Sequence, residues 1–243
     1  MFARSQEFYD AIYEANGKDY AAECEDLIAL ISRYRVSSSK SMLEVACGTG
    51  SHTDYLKEHF DVVGVDLDAG MIEIAKKRLP GVVFHVGDMV DLSLGRTFDV
   101  VVCLASAIGY ASALPEMRQA IKAMADHLAP GGILLVEPWL GPEEYEPKKV
   151  FSVFVNKPDL KIVRMNVNEI RERTSVLKLN YLVASPTGVE HFTELHELGL
   201  YTRAEYEEAF RACGLETMFD DRGLIGRGML IGRKVRPQAV AAN

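Results

Sequence analysis

The sequence is poor in cysteine, has a single tryptophan and carries a deficit of positive charge. Its four cysteines, Cys24, Cys47, Cys103 and Cys213, stand far apart and form no C-x-x-C pair. That spacing argues against a disulfide framework or a zinc site and fits a reducing interior, so no metal is expected. Lys and Arg number 27 against 35 Asp and Glu, a formal charge of -8 at pH 7. Nucleic-acid binders neutralise phosphates with Lys and Arg, so this balance argues against DNA or RNA as a partner. No run is long and apolar enough to span a bilayer. The stretch Met1–Asp10 holds no apolar signal core, and a cytoplasmic location without a membrane partner is the expectation. Repeats and low-complexity segments are also missing.

What is present is ordinary globular material: 243 residues, 48% hydrophobic and 26% charged, enough for one α/β domain with a large core. Residues 1–40 read as a helical N-terminal cap. From Ser41 to Pro138, short apolar runs alternate with helical stretches. Strands are expected at Ser41–Ala46, Val62–Asp66, Val82–Val86, Phe98–Leu104 and Ile133–Glu137. Helices are expected at His52–Phe60, Met71–Leu79 and Pro115–Leu128, the last broken by Gly131 and Gly132. Such alternation indicates βα units and a buried parallel sheet. After Trp139 the pattern changes. Pro142–Pro147 reads as a connector, and Lys161–Ile170, Val176–Ala184 and Val189–Tyr201 as antiparallel strands of a cap over residues 139–201. Pro186-Thr187-Gly188 marks a turn between the last two. Residues 202–234 return to the core pattern, with a helix at Arg203–Cys213 and strands at Leu215–Phe219 and Gly228–Gly232; Arg236–Asn243 reads as a frayed tail.

The run Glu44-Val-Ala-Cys-Gly48-Thr-Gly50 falls where the first strand meets the first helix of this alternation. Ligands of open α/β sheets bind beyond the carboxyl ends of the strands, and glycines there admit close backbone approach. Asp66 ends the second strand, where a carboxylate can accept from both hydroxyls of a ribose. Gly87-Asp88-Met89 follows the third. A dinucleotide fold requires a third glycine, for close helix packing, where this chain has Thr53. An adenosyl ligand without a pyrophosphate fits better.

As a set, these runs resemble motifs I, II and III of the class I S-adenosylmethionine methyltransferases. The resemblance implies a Rossmann-like α/β fold, a mostly parallel seven-stranded sheet with an inserted antiparallel β cap. It implies S-adenosyl-L-methionine as cofactor and S-adenosyl-L-homocysteine as product. Gly48 and Gly50 would lie against the methionine part, Asp66 on the ribose, Asp88 and Met89 at the adenine, and Met71 on the adenine face. Leu104 would line the cofactor, and Tyr20, Ala46 and Leu67 complete the expected set. Base-amino methylation of nucleic acids is disfavoured further, because the chain has no N/D-P-P-Y motif.

The acceptor must be read elsewhere, because such folds share a cofactor site and differ in their caps. Tyr9 and Tyr13 share a helix face, as site residues or as core packing. Trp139 is a site residue or a hydrophobic plug. His191 and His196 differ in strand parity, so a metal pair is not expected; His196 shares the parity of Phe192 and Leu198, and is a buried structural histidine or a catalytic one. Arg227, between two glycines, is suited to bidentate phosphate binding or is a surface arginine.

Over nearly its full length the chain also resembles the N,N-dimethyltransferases of nucleotide-linked amino deoxysugars, of the desosamine and mycaminose type. The resemblance rests on Tyr9-Asp10, Gly17-Lys-Asp-Tyr-Ala-Ala-Glu23, Val45–Gly50, Gly87–Met89, Ile108-Gly-Tyr110, Val136-Glu-Pro-Trp139, His191-Phe192, His196, Glu205-Tyr206 and Gly226-Arg-Gly228. It implies that Tyr110 and the Trp139 region line a sugar pocket and that Arg227 meets the diphosphate. Three departures fall in the substrate region: Leu140 stands where that group has a second tryptophan, Ser106-Ala107 where it has two serines, and the cap from Lys148 to Ser185 matches only loosely. The expectation is N-methylation of a small-molecule amine by a monomer or homodimer, dominated by orientation, with Tyr13, Tyr110 and His196 as candidates to accept or orient a proton. The competing readings are O-methylation of another small acceptor and a non-catalytic adenosyl-binding module.

Overall fold

The computed structural model describes residues 4–36 and 39–235; the tail expected at Arg236–Asn243 lies outside them. Two helices lead, α1 (Tyr9–Ala15) and α2 (Tyr20–Tyr34). The junction between them is set by three consecutive residues. Gly17, at φ +86°, closes α1 with the paired bonds of a Schellman motif, Gly17 N–H to Glu14 O and Lys18 N–H to Tyr13 O, both 3.0 Å. Asp19 then caps α2, accepting from Ala22 N–H.

The alternating segment follows as β1 (Ser41–Val45), α3 (Ser51–Leu56), β2 (Asp61–Asp66), α4 (Ala69–Arg78), β3 (Val83–Val86), β4 (Phe98–Cys103), α5 (Leu114–Asp126) and β5 (Leu128–Val136). Four antiparallel strands come next, β6 (Val150–Lys157), β7 (Leu160–Arg171), β8 (Thr174–Ser185) and β9 (Gly188–Gly199). The chain ends with α6 (Arg203–Ala212), β10 (Leu215–Asp220) and β11 (Met229–Lys234). A Thr202–Glu205 capping box starts α6.

The seven-stranded sheet has the order β10-β11-β5-β4-β1-β2-β3. Only β11 pairs antiparallel with its neighbours, β5 and β10. Its central strands are buried on both faces, so they read as continuous apolar runs. Leu43, Val45, Val101 and Cys103 face the layer of α5 and α6. Met42, Val100, Val102 and Ile133 face Leu27 and Ile31 of α2 and Leu56 of α3. The chain winds outward in opposite directions from β1 and β4, so a crevice opens beyond their carboxyl ends. In the second sheet, Val153, Ile162, Tyr181 and Phe192 form an apolar inner face that receives Ile12 of α1. No described helix is long and apolar enough to cross a membrane.

Three expectations need correction. β5 begins at Leu128, not at Ile133, so Gly131 and Gly132 lie within the strand. Register against β4 shifts there, and a Cβ on Gly132 would come within 2.9 Å of the Ala129 and Asp99 carbonyl oxygens. The glycines accommodate a bulge rather than stop a helix. The antiparallel sheet has four strands, not three. Its missed edge strand, β6, exposes Val150 and Phe154 on the face opposite buried Val153 and Val155, which erases the alternation. Finally, α3 ends at Leu56 rather than Phe60.

Candidate active site

The turn after β1 enters the left-handed region three times in five residues, at Ala46, Gly48 and Gly50. Gly48 needs its missing Cβ: φ is +56°, and a Cβ there would meet no atom within 4 Å, projecting into open space. The Gly48 N–H donates to Asp66 Oδ2 at 2.8 Å, and the Asp68 N–H to Asp66 Oδ1 at 2.9 Å. Each carboxylate oxygen thus keeps further acceptor capacity. Burial raises the Asp66 pKa, offset in part by these N–H donors.

Beyond this turn lies a cavity of about 880 Å³, within the range that holds a small ligand. One part of its wall is Ala46, Gly48, Asp66, Leu67 and Met71, joined by Asp88 and Met89. Asp88 is held by the Val90 N–H, 2.9 Å from Oδ1. Tyr9, Tyr13, Tyr110, Trp139, His196 and Arg227 line the remainder. Tyr20 and Leu104 line an adjoining pocket of about 30 Å³ instead. Gly50 lines neither; its φ of +78° begins α3, and a Cβ there would press within 3.4 Å of Ala75 and Leu79. That glycine serves helix packing. The open cradle at Gly48 and the doubly acceptor-capable Asp66 fit a ribose-bearing adenosyl group.

The remaining wall is built from distant segments. Tyr9 and Tyr13 pack against each other with ring centroids 4.4 Å apart and planes tilted by 35°, on one helix face as their spacing predicts. Asp10 fastens their helix to the core by accepting from Thr49, Ser51 and Arg78. The Tyr110 hydroxyl lies 2.7 Å from His196 Nδ1. His196 is on the buried face of β9, and burial pushes its pKa down to about 4. Glu194, one step along the same face, accepts from Arg4 N–H, Ser5 N–H and Ser5 Oγ; Glu194 Oε2 is 3.7 Å from His196 Nε2. Arg227 donates to Ser106 Oγ at 2.8 Å, and its guanidinium sits 4.7 Å from the Trp139 ring centroid. Ser106 in turn donates to Pro138 O, and Trp139 Nε1–H to Ser175 Oγ. Ala105 and Ser106 both have positive φ, a strained corner after β4 that aims Ser106 at the arginine. Ala107 and Leu140, at two of the departures, also line the cavity. Among the described residues, no cluster of His, Cys, Asp and Glu could hold a metal ion.

Several polar groups at the site were not singled out from sequence: Lys18, Glu23, Glu44, His52, Glu137 and Glu194. Lys18 and Glu23 sit inside the Gly17–Glu23 run, so a signal was present; for His52 and Glu194 there was none, because their partners are 29 and 189 residues away. Glu44, 1% exposed, accepts from the Thr53 hydroxyl. Thr53, where a dinucleotide fold has glycine, thus serves a buried carboxyl. Burial pushes the Glu44 carboxyl up to about 7. A carboxyl raised in the folded state stabilises less as it ionises, so stability falls as pH climbs from about 4.5 through about 7. Glu44→Gln is expected to remove that loss, about 3 kcal/mol by pH 8. Urea midpoints of both proteins at about pH 5 and pH 8 check this; parallel pH dependence in the two would refute it.

Residues 42–132 match a family model described as a methyltransferase domain. The chain is 40% identical over 228 residues, 93% of its length and 89% of the relative, to a dTDP-3-amino-3,6-dideoxy-alpha-D-glucopyranose N,N-dimethyltransferase of Streptomyces fradiae. It is 37% identical, over 93% of its length and 91% of the relative, to a dTDP-4-amino-2,3,4,6-tetradeoxy-D-glucose N,N-dimethyltransferase of Saccharopolyspora spinosa. The chain belongs to the sugar N,N-dimethyltransferase family. As a member of that family it is an S-adenosylmethionine-dependent methyltransferase. The S-adenosylmethionine-bound amino pentose methyltransferase CalS10 of Micromonospora echinaspora superposes with a TM-score of 0.86 at 35% identity, covering 94% of this chain and 97% of that one. The family assignment accords with the seven-stranded sheet and the antiparallel β sheet beside it.

Proposed function

We propose that the protein methylates the amino group of a nucleotide-linked amino deoxysugar, once and then again, to an N,N-dimethyl product. The observation that carries this reading is a single cavity with Asp66 and Asp88 in one part of its wall and Arg227, stacked on Trp139, in another. The relatives named above act on dTDP-linked amino sugars, one with a 3-amino and one with a 4-amino group. Asp66 holds the ribose, Asp88 and Met89 the adenine edge, Met71 its face, and Ala46, Gly48 and Leu67 the backbone contacts, with Tyr20 and Leu104 behind. Tyr9, Trp139 and Tyr110 line the sugar site, and Arg227 meets the diphosphate.

Bound S-adenosylmethionine supplies an electrophilic methyl on sulfur, and the protein's task is to hold a neutral amine in line with it. A free alkyl ammonium has a pKa near ~10.4, which a desolvating pocket lowers. His196 is uncharged at neutral pH, so it does not repel the amine. Tyr110, donating to His196 Nδ1, offers its oxygen to the amine N–H groups and turns the nitrogen lone pair toward the methyl; Tyr13 limits the space for the amine. Orientation, not a strong base, is the main contribution of these three side chains.

The test incubates the protein and S-adenosylmethionine with nucleotide-linked sugars, amino and non-amino, and follows mass. Gains of one and two methyl groups on amino sugars only are expected. Methylation of hydroxyl sugars would turn the reading to O-methylation, and no gain on any sugar would remove the sugar acceptor. Tyr110→Phe is expected to lower kcat about 10- to 100-fold with little change in KM. kcat/KM should rise with pH along one limb, that of the amine, with no inflection from His196 near neutrality. Complete loss of turnover in Tyr110→Phe or His196→Ala, with substrate binding intact, would instead establish an obligatory base.

A further inference from the structure

Glu194 and His196 lie side by side on the inner face of β9, and both are buried. Their neighbours across β8, Leu179 and Leu177, are apolar, so that strand offers neither of them a side-chain partner. Glu194 Oε2 is 3.7 Å from His196 Nε2, within ion-pair range, so its charge acts on that nitrogen. The other ring nitrogen, Nδ1, is 2.7 Å from the hydroxyl of Tyr110, which closes the short 3-10 turn Ala107–Tyr110. Arg164 on β7, Tyr181 on β8, Tyr13 on α1 and Asp66 on β2 act electrostatically on members of this trio.

The two oxygens of Glu194 are not equivalent. Oε1 accepts from the Arg4 and Ser5 N–H groups at 2.9 and 3.0 Å, whereas Oε2 accepts from Ser5 Oγ at 2.6 Å and is the one turned toward His196. Burial pushes the Glu194 carboxyl up, but the bonds from Ser5 and Arg4 outweigh it and hold the pKa below its ordinary value. A neutral imidazole carries one N–H and one lone pair, and its neighbours decide which nitrogen has which. A carboxylate beside Nε2 attracts an N–H there and repels a lone pair. The proton therefore sits on Nε2, and Nδ1 is left to accept the single hydroxyl hydrogen of Tyr110.

We propose that Glu194 is a positioning residue for methyl transfer: it holds His196 in the Nε2–H tautomer, so that Nδ1 accepts from Tyr110 and the phenol oxygen keeps its lone pairs for the acceptor amine. In the opposite tautomer Nδ1–H would donate to Tyr110, and the hydroxyl hydrogen would turn into the cavity, toward the amine lone pair that must attack the methyl group. Glu194 does not line the cavity, so it acts through His196 and Tyr110, which do. Arg4 and Ser5, from the far end of the chain, hold the carboxylate in place and in its charged form. This deepens the proposed function and rests on it.

Glu194→Gln tests the proposal with little change of shape. The place of Oε1 must still accept from two backbone N–H groups, so the amide nitrogen takes the place of Oε2 and points an N–H at His196. Imidazole nitrogen NMR of the free protein is expected to show His196 protonated on Nε2 in the wild type and on Nδ1 in Glu194→Gln; Glu194→Ala, with neither carboxylate nor amide, should give a mixture. In turnover of an amino sugar, Glu194→Gln should lower kcat about 10-fold with KM and S-adenosylhomocysteine affinity unchanged, yet by less than about twofold when made in Tyr110→Phe, because the residues act as a unit. An Nε2 proton kept in both Glu194 variants, or losses of kcat that multiply in the double variant, would overturn it. If no amino sugar were methylated, the proposed function would fall, and with it the role of Glu194 in methyl transfer, whatever the spectrum showed.

Discussion

Asp66→Ala is expected to weaken S-adenosylhomocysteine binding by about two orders of magnitude, and to reduce kcat/KM in step. The carboxylate is partly buried between β1 and β2 and already organises two backbone N–H groups, from Gly48 and Asp68. Those donors fix its plane and leave acceptor capacity on both oxygens. Each charge-assisted bond to a ribose hydroxyl contributes about 1.5–3 kcal/mol, so losing two accounts for the predicted effect. Asp66→Asn should lie between wild type and alanine, since an amide presents only one accepting oxygen. The change also frees the Gly48 N–H, so thermal melting must accompany the titration. A fall in affinity with the melting temperature preserved supports direct recognition. Unaltered affinity in Asp66→Ala would remove the carboxylate from the cofactor site.

Arg227→Met is expected to lower kcat/KM for a nucleotide-linked amino sugar by about 100- to 1,000-fold, while turnover of the same sugar without its diphosphate stays unchanged. The guanidinium is bonded to Ser106 and stacked on Trp139, which holds its plane without neutralising its charge. Burial lowers its pKa, with the Glu137 carboxylate acting in the opposite sense. A planar fork held this way suits phosphate oxygens, and a lysine cannot reproduce it, so Arg227→Lys should recover only part of the loss. Steady-state kinetics on the paired substrates decide the matter. Equal losses on both would make Arg227 a support for Trp139 rather than a phosphate ligand.

Much of the chain was legible from local pattern. Apolar runs such as Val100–Cys103 report a sheet buried on both faces, and the Gly48 turn and Asp66 fall, as expected, beyond the carboxyl ends of the strands, because these are consequences of period and of backbone freedom at neighbouring residues. His196 was assigned its buried face by parity alone, and the face is buried. Gly50 shows the limit of the same logic: a glycine in a binding motif can equally be the one that lets α3 pack on α4. Gly131 and Gly132 show another, since a bulge and a helix stop use the same residues.

What the sequence by itself determined is therefore the class of fold, the glycine-rich turn after β1 and the place in the chain of the antiparallel sheet, all encoded in patterns a few residues long. Only the tertiary structure decided which polar groups meet: Tyr110 with His196, Arg227 with Ser106, Ser5 with Glu194, and Glu23 with His52. These partners come from different elements brought over one crevice. Their pairing is enforced by burial, where a polar group must find a partner wherever the fold provides one, and that requirement leaves no periodicity in the chain.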